Sequence, residues 1–259
     1  MTDKFDFKLC HLRSWAEFSG DYNPIHFEPE IASRMGFPKL VAHGMLAMMP
    51  IKNRVAAWAQ GHQGFSVNIN LRKPVFVDEG LVCESSASDN QCQVRLKGDD
   101  GTRYFATAEL LPDKDSNGAS LTLTDFEELE VAAISTDFQE FSRKFPDSKA
   151  TWQAIDAILF KYYVRRNGGS AFAKDTRAYL KEQSDIAHSQ GVVQITHELD
   201  VFPAVENRAA ELLSDVKIYT RGLQIERTRD AAFGSVESYA VFKNNVLLVQ
   251  RMALMTILI

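Results

Sequence analysis

Met45–Gln60 reads MLAMMPIKNRVAAWAQ, with apolar residues at helical spacing and Pro50 as the one interruption, and Gly61-His-Gln-Gly64 ends it. Four alternating, β-rich segments follow: Phe65 to Val77, Leu81 to Ser88, Gln91 to Lys97 and Thr102 to Leu111. The breaks between them, Asp78-Glu-Gly80, Asp89-Asn90 and Gly98-Asp-Asp-Gly101, are hairpin chemistry, so the pattern predicts a helix against an antiparallel sheet. The polar stretch Pro112-Asp-Lys-Asp-Ser-Asn-Gly-Ala-Ser120 reads as a linker. Beyond it the same order returns. Thr151–Arg166 (TWQAIDAILFKYYVRR) has the pattern of an amphipathic helix stopped by Asn167-Gly-Gly169, and strand candidates follow at Val192 to Val201, Asp215 to Ile225, Phe233 to Phe242 and Val246 to Leu258, with Asn244-Asn245 as a hairpin turn. The expectation is a chain of class α+β in which one helix-plus-sheet unit occurs twice, the two sheets joining side by side.

Composition narrows the classes of function. A chain of 259 residues with 45% hydrophobic content builds a substantial core. Its net charge of -5 and the lack of Lys/Arg runs argue against a nucleic-acid partner. The N-terminus, MTDKFDFKLCHLRSW, has no apolar signal-peptide core, and the apolar stretch MALMTILI is far short of the roughly 20 residues that cross a bilayer. The expectation is therefore a cytoplasmic protein with no membrane partner. Cys10, Cys83 and Cys92 have no C-x-x-C spacing, so neither a disulfide framework nor a zinc knuckle is expected.

The chemically suggestive run is Phe18-Ser-Gly-Asp-Tyr-Asn-Pro-Ile-His-Phe27, followed by Gly36-Phe-Pro-Lys-Leu-Val-Ala-His-Gly-Met-Leu46. As a bare turn, Gly20 to Pro24 satisfies local backbone groups. It also puts a carboxylate, an amide and an imidazole within six residues, ahead of a helix that opens at His43-Gly44. Adding water across an enoyl thioester needs acid/base groups for the water and the α-carbon, and a donor for the charge that develops on the thioester oxygen. Asp21 and His26 suit the first task, Asn23 can orient the water, and the Gly44 N–H suits the last.

The blocks Ser19-Gly-Asp-Tyr-Asn-Pro-Ile-His26 and Val41-Ala-His-Gly-Met-Leu46, with Asn70-Leu-Arg-Lys-Pro-Val-Phe-Val-Asp-Glu79, closely resemble the hydratase-2 motif of the MaoC-like hot-dog family, which includes R-specific enoyl-CoA hydratases and 3-hydroxyacyl dehydratases. The resemblance covers roughly residues 10 to 110. It implies a double hot-dog fold, with a catalytic unit at 1–113 and a second, catalytically silent unit at 121–259. It also implies that the catalytic aspartate, asparagine, histidine and oxyanion glycine fall on Asp21, Asn23, His26 and Gly44. The implied substrate is an acyl-CoA or acyl-carrier-protein thioester, with no cofactor and no metal. The chain would be a pseudo-dimer on its own, able to form a homodimer of such chains.

There are departures from the family pattern. Some members carry a serine one to two turns into the central helix, where this chain has Met48, Met49, Pro50 and Lys52. The second half has no G-D-x-N-P-x-H run, an order opposite to that of the eukaryotic fused hydratases. Lys52, Arg54, Arg72 and Lys73 are candidates to meet the phosphates of CoA or of a phosphopantetheine arm, with a solvated face as the equal alternative. Phe18, Tyr22, Phe27, Met45, Met48 and Met49 are candidates either for an acyl channel or for ordinary core. His43 is expected to shape its loop, and His11, His62, His188 and His197 are given no role. Two other functions compete with a hydro-lyase: a hot-dog thioesterase, disfavoured because Met45–Gln60 has no Asp or Glu, and a non-catalytic subunit that binds acyl thioesters.

Overall fold

The structure, a computed structural model of the chain, describes residues 4–62, 64–112, 126–129, 134–166, 189–203, 205, 216–227, 231–243 and 245–258. The first half runs α1 (Leu9–Ser19), a 3-10 turn at Pro24–His26, α2 (Pro29–Arg34), α3 (Gly44–Ala47), α4 (Met49–Ala59), β1 (Phe65–Leu71), β2 (Val82–Ala87), β3 (Gln91–Gly98) and β4 (Gly101–Leu110). The second runs β5 (Glu127–Leu129), α5 (Ile134–Lys144), α6 (Thr151–Arg166), β6 (Ser189–Val201), β7 (Val216–Arg227), β8 (Ala231–Phe242) and β9 (Asn245–Leu258). The strands form one nine-stranded sheet in the order β2-β3-β4-β1-β6-β9-β8-β7-β5. The recurring helix-plus-sheet pattern is therefore present, and the two sheets join where β1 pairs antiparallel with β6, from Phe65 opposite Val201 to Asn70 opposite Thr196. This is a double hot-dog of class α+β, whose main core runs without interruption from Phe7 to Leu254. The linker read at 112–120 lies outside the described residues from 113 onward, as do the stop at 167–169 and Asn244.

Three departures from the sequence pattern matter for the site. The helix read over Met45–Gln60 divides at Met48, because Pro50 has no N–H to continue the ladder. The strand expected to reach Val77 stops at Leu71. Beyond Pro74 the chain leaves β1 and pairs with the loop before α3: Ala42 N–H donates to Val75 O at 2.8 Å, and Val77 N–H to Leu40 O at 3.0 Å. Glu79 fixes this crossing, accepting from the Phe76 N–H at 3.0 Å and pairing with buried Arg103.

The third departure is α6, which is buried all round from Thr151 to Val164 rather than amphipathic. It lies between the sheet and the helices α1 and α5, so its polar side chains need partners. Gln153 donates to Asn53 Oδ1 at 2.8 Å, and Lys161 meets Asp137 at 2.8 Å and Glu140 at 3.0 Å. Asp156, wholly buried, pairs with Lys52 of α4. Lys52 is thus a core residue rather than the phosphate-binding group its charge suggested, because its face of α4 looks onto α6. Two ions removed from water are tolerable only as a pair, and losing one partner strands the other. Lys52→Met is therefore expected to lower the unfolding free energy by about 3–5 kcal/mol, with part of that recovered by adding Asp156→Asn. Urea denaturation near pH 7 checks this, and an unchanged midpoint in Lys52→Met would show that the pair does not hold the halves together.

Candidate active site

The α1 helix ends because Gly20 takes φ 79° and caps it, its N–H donating to Ala16 O at 2.7 Å, which throws Asp21 out of the helix. Two side-chain turns then shape the loop: Asp21 Oδ1 accepts from the Asn23 N–H at 3.2 Å, and Asn23 Oδ1 from the Ile25 N–H at 3.4 Å. Pro24 opens the 3-10 turn that carries His26 inward. The local-turn reading and the functional reading are therefore both realised by the same residues.

His26 lies with Nδ1 2.7 Å from Val41 O, so this nitrogen carries the hydrogen and Nε2 of the neutral ring keeps its lone pair. His43 stacks on it with ring centroids 3.7 Å apart, and its Nε2 donates to Asp21 O at 3.0 Å. Its Nδ1 is buried without a hydrogen-bond partner among the described residues. His43 thus ties the aspartate loop to the start of α3, a closer engagement with the site than loop shaping.

Burial sets the protonation states. It pushes Asp21 up to about 6, with the Asn23 N–H acting the other way, and pulls His26 down to about 4 against the hydrogen bond to Val41. His43 is held well below the ordinary imidazole value by burial and then by its neighbour His26. Near neutrality the pair is therefore a carboxylate beside neutral imidazoles. The ligating atoms of Asp21, His26 and His43 lie within 4.8 Å of one another, a donor set that would also accept a divalent transition ion, occupying the lone pairs that acid–base chemistry needs.

Asp21, Asn23, His26 and Gly44 all line one cavity of about 250 Å³, with Met45, Leu71, Tyr104 and, from the second half, Phe160, Gln194 and Leu254. The Gly44 N–H opens α3 and donates to no described residue. A side chain there would crowd the cavity, since a Cβ would come within 3.1 Å of both Gln194 Oε1 and Leu71 Cδ2. Of the four cations, Arg72 and Lys73 line the cavity, and Lys73 also meets Asp100 Oδ2 at 3.2 Å. Lys52 does not reach it, and Arg54 is exposed on α4 beside the Cys83 thiol of β2. Of the channel candidates only Met45 lines the cavity; Phe18 and Met48 are core, and Tyr22 is exposed.

His197, given no role above, was the residue that sequence spacing missed. It is wholly buried, with Nε2 2.9 Å from Asp156 Oδ1. The two are 41 positions apart in the chain, so only the sheet brings them together. His188 lies outside the described residues.

Over part of its length the chain is similar to known proteins. Residues 11–106 match the family model of the MaoC like domain. Over 71 residues the chain is 32% identical to a mitochondrial 3-hydroxyacyl-[acyl-carrier-protein] dehydratase of Arabidopsis thaliana, covering 27% of this chain and 43% of that one. Over 66 residues it is 35% identical to 3-hydroxyacyl-thioester dehydratase X of Mycobacterium tuberculosis, covering 26% and 23%. The chain thus spans less than half the length of these curated relatives. A solved structure described as a MaoC-like dehydratase superposes with a TM-score of 0.52 at 10% identity over 98% of this chain and 95% of that one, a likeness of fold. Over residues 11–106 the first half of the chain is thus similar to the MaoC like domain. No helix among the described residues is long and apolar enough to cross a membrane.

The raised Asp21 value has a consequence for stability. The folded state holds this proton up to about pH 6, against 3.8 for an ordinary carboxyl, so the stability the group contributes is present in acid and lost as pH climbs through about 6. Asp21→Asn keeps the acceptor for the Asn23 N–H and removes the buried charge. It is expected to exceed the native protein in stability by about 1–3 kcal/mol near pH 8, with no gain near pH 3.5. The opposite pH dependence of His26 is common to both proteins and cancels in this difference. Thermal unfolding at the two pH values checks the sign.

Proposed function

We propose that the chain is a hydro-lyase that reversibly hydrates 2-enoyl thioesters to (R)-3-hydroxyacyl thioesters. The observation that carries this reading is that a carboxylate with a raised pKa, an imidazole Nε2 and a backbone N–H, the last two without a partner among the described residues, share one apolar cavity. In the hydration direction a water sits between Asp21 and His26, donating one hydrogen to each. As its oxygen bonds the β-carbon, the Asp21 carboxylate takes one proton. The charge passes through the enoyl system to the thioester oxygen, where the Gly44 N–H meets it. The protonated Asp21 then returns the proton to the α-carbon, which restores the carboxylate and completes the addition of H and OH. Dehydration is the same path reversed. Asn23 orients the water, and His26 stays neutral throughout.

The acyl chain lies against Met45, Leu71 and Leu254, and the carrier arm leaves past Arg72 and Lys73, whose cations suit the phosphates of CoA or of a carrier-protein arm. In this reading the catalytic unit is 1–113, and the unit 121–259 supplies the opposite wall without acid–base groups of its own. A thioesterase would need a free carboxylate on a central helix. The one such group, Asp156 on α6, is engaged by Lys52 and His197.

Purified protein mixed with crotonyl-CoA should remove the enoyl absorbance and yield the R product. Asp21→Asn and His26→Ala should each slow hydration by roughly 10²- to 10⁴-fold, and the double variant should lose far less than the product of the two, since both groups act on one water. A single variant that keeps full activity would remove the mechanism.

A second outcome follows from protonation. Protonated Asp21 cannot accept from water, so kcat/KM for hydration should rise with pH through about 6 and then level. A rate that falls with rising pH over that range would rule out Asp21 as the base.

A further inference from the structure

Gln194 stands on β6, in the half of the chain that has no acid–base motif, yet it lines the cavity. Strand alternation would put Gln194 and His197 on opposite faces, because they are three residues apart. Between Gln194 and Thr196 the register with β9 slips, and this β-bulge turns both side chains to the same side. Gln194 Nε2 lies 3.0 Å from His197 Nδ1 and 3.3 Å from Thr196 O.

The direction of those bonds is set from deep inside the protein. Burial alone would raise Asp156, but Lys52 and His197 hold it ionised, so its carboxylate is an acceptor only. It accepts from Gln250 at 2.7 Å and from His197 Nε2 at 2.9 Å. His197, kept neutral by burial, therefore carries its hydrogen on Nε2, and Nδ1 accepts from Gln194. Both amide hydrogens of Gln194 are thereby engaged. What remains is Oε1, an acceptor held at the Gly44 end of the cavity, 3.1 Å from where a Gly44 Cβ would stand.

On the acyl-thioester reading, the thioester oxygen meets the Gly44 N–H and the sulfur is its neighbour. In CoA and in carrier-protein arms that sulfur is followed by two methylenes and an amide N–H, the substrate donor nearest the reacting carbons apart from the hydroxyl. We propose that Gln194 is a substrate-orienting residue contributed by the second half: its Oε1 accepts a hydrogen bond from this pantetheine amide, and the chain Lys52–Asp156–His197 holds it in the accepting orientation. The second half is then silent in proton transfer but selects for pantetheine thioesters.

The test compares crotonyl N-acetylcysteamine thioester, which has this amide, with crotonyl S-pentyl thioester, which has a hydrocarbon in its place. The native protein should prefer the amide-bearing substrate by roughly tenfold in kcat/KM, the usual worth of one such hydrogen bond. In Gln194→Met, close in shape and without the acceptor, the ratio should fall to about one, while the rise of kcat/KM through pH 6 stays where it was. His197→Leu, which frees the amide to turn, should lower the ratio part of the way. Equal rates on the two substrates in the native protein, or an undiminished preference in Gln194→Met, would overturn the proposal and leave the hydration chemistry standing. Equal native rates overturn it even if a variant does not fold. Hydration of neither substrate, nor of crotonyl-CoA, would instead overturn the functional reading and this inference with it.

Discussion

Everything else in the molecule depends on the antiparallel pairing of β1 with β6. It turns two half-sheets into one and removes an exposed edge from each. Register there is not free, because a slip by one residue would send every inward side chain of β6 to the other face. With Ile69 opposite His197, the imidazole points to Asp156 in the core, and the strand runs on past the end of β1 to bring Gln194 to the cavity. The Lys52–Asp156 pair across the two central helices is tolerable only in that arrangement, since either half alone would leave a charge buried without its partner or open to water. The sheet junction and the buried pair therefore enforce the same docking.

The site is built in a similar way, by backbone groups that leave side chains few choices. Val41 O and Asp21 O each take the hydrogen of one imidazole and so decide which nitrogen is left with a lone pair. The crossing beyond Pro74 ties the Val41 loop to residues 75–77 and holds the Val41 carbonyl in place. Desolvation then separates the two acid–base groups, raising the carboxyl and lowering the imidazole, so that near neutrality one is charged and the other is not. The stability cost of a buried Asp21 carboxylate would be the counterpart of the base role proposed for it.

Much of this was legible in the sequence, and the parts that were not share a cause. The helix and hairpin patterns gave the α+β units and their repetition, because periodicity and turn chemistry are local. Asp21, Asn23, His26 and Gly44 could be named together because a few turns and one loop bring them to one cavity. Lys52 is not legible as core from sequence, since a lysine on a helix looks solvated unless the facing helix is known to carry Asp156. α6 looked amphipathic because its polar residues have partners on α4 and α5 that no spacing rule reveals. His197 and Gln194 were invisible for the same reason: their roles depend on a bulge and on a carboxylate on another element.

In the hydration proposed, Asp21 and His26 act on a single water from one wall of the cavity, so that H and OH reach the same face of the double bond. Hydration of crotonyl-CoA in D₂O, with NMR assignment of configuration at C2 and C3 of the product, tests it directly. One deuterium is expected at C2, on the face that received the hydroxyl at C3. Deuterium on the opposite face, or scrambled between the two, would contradict it.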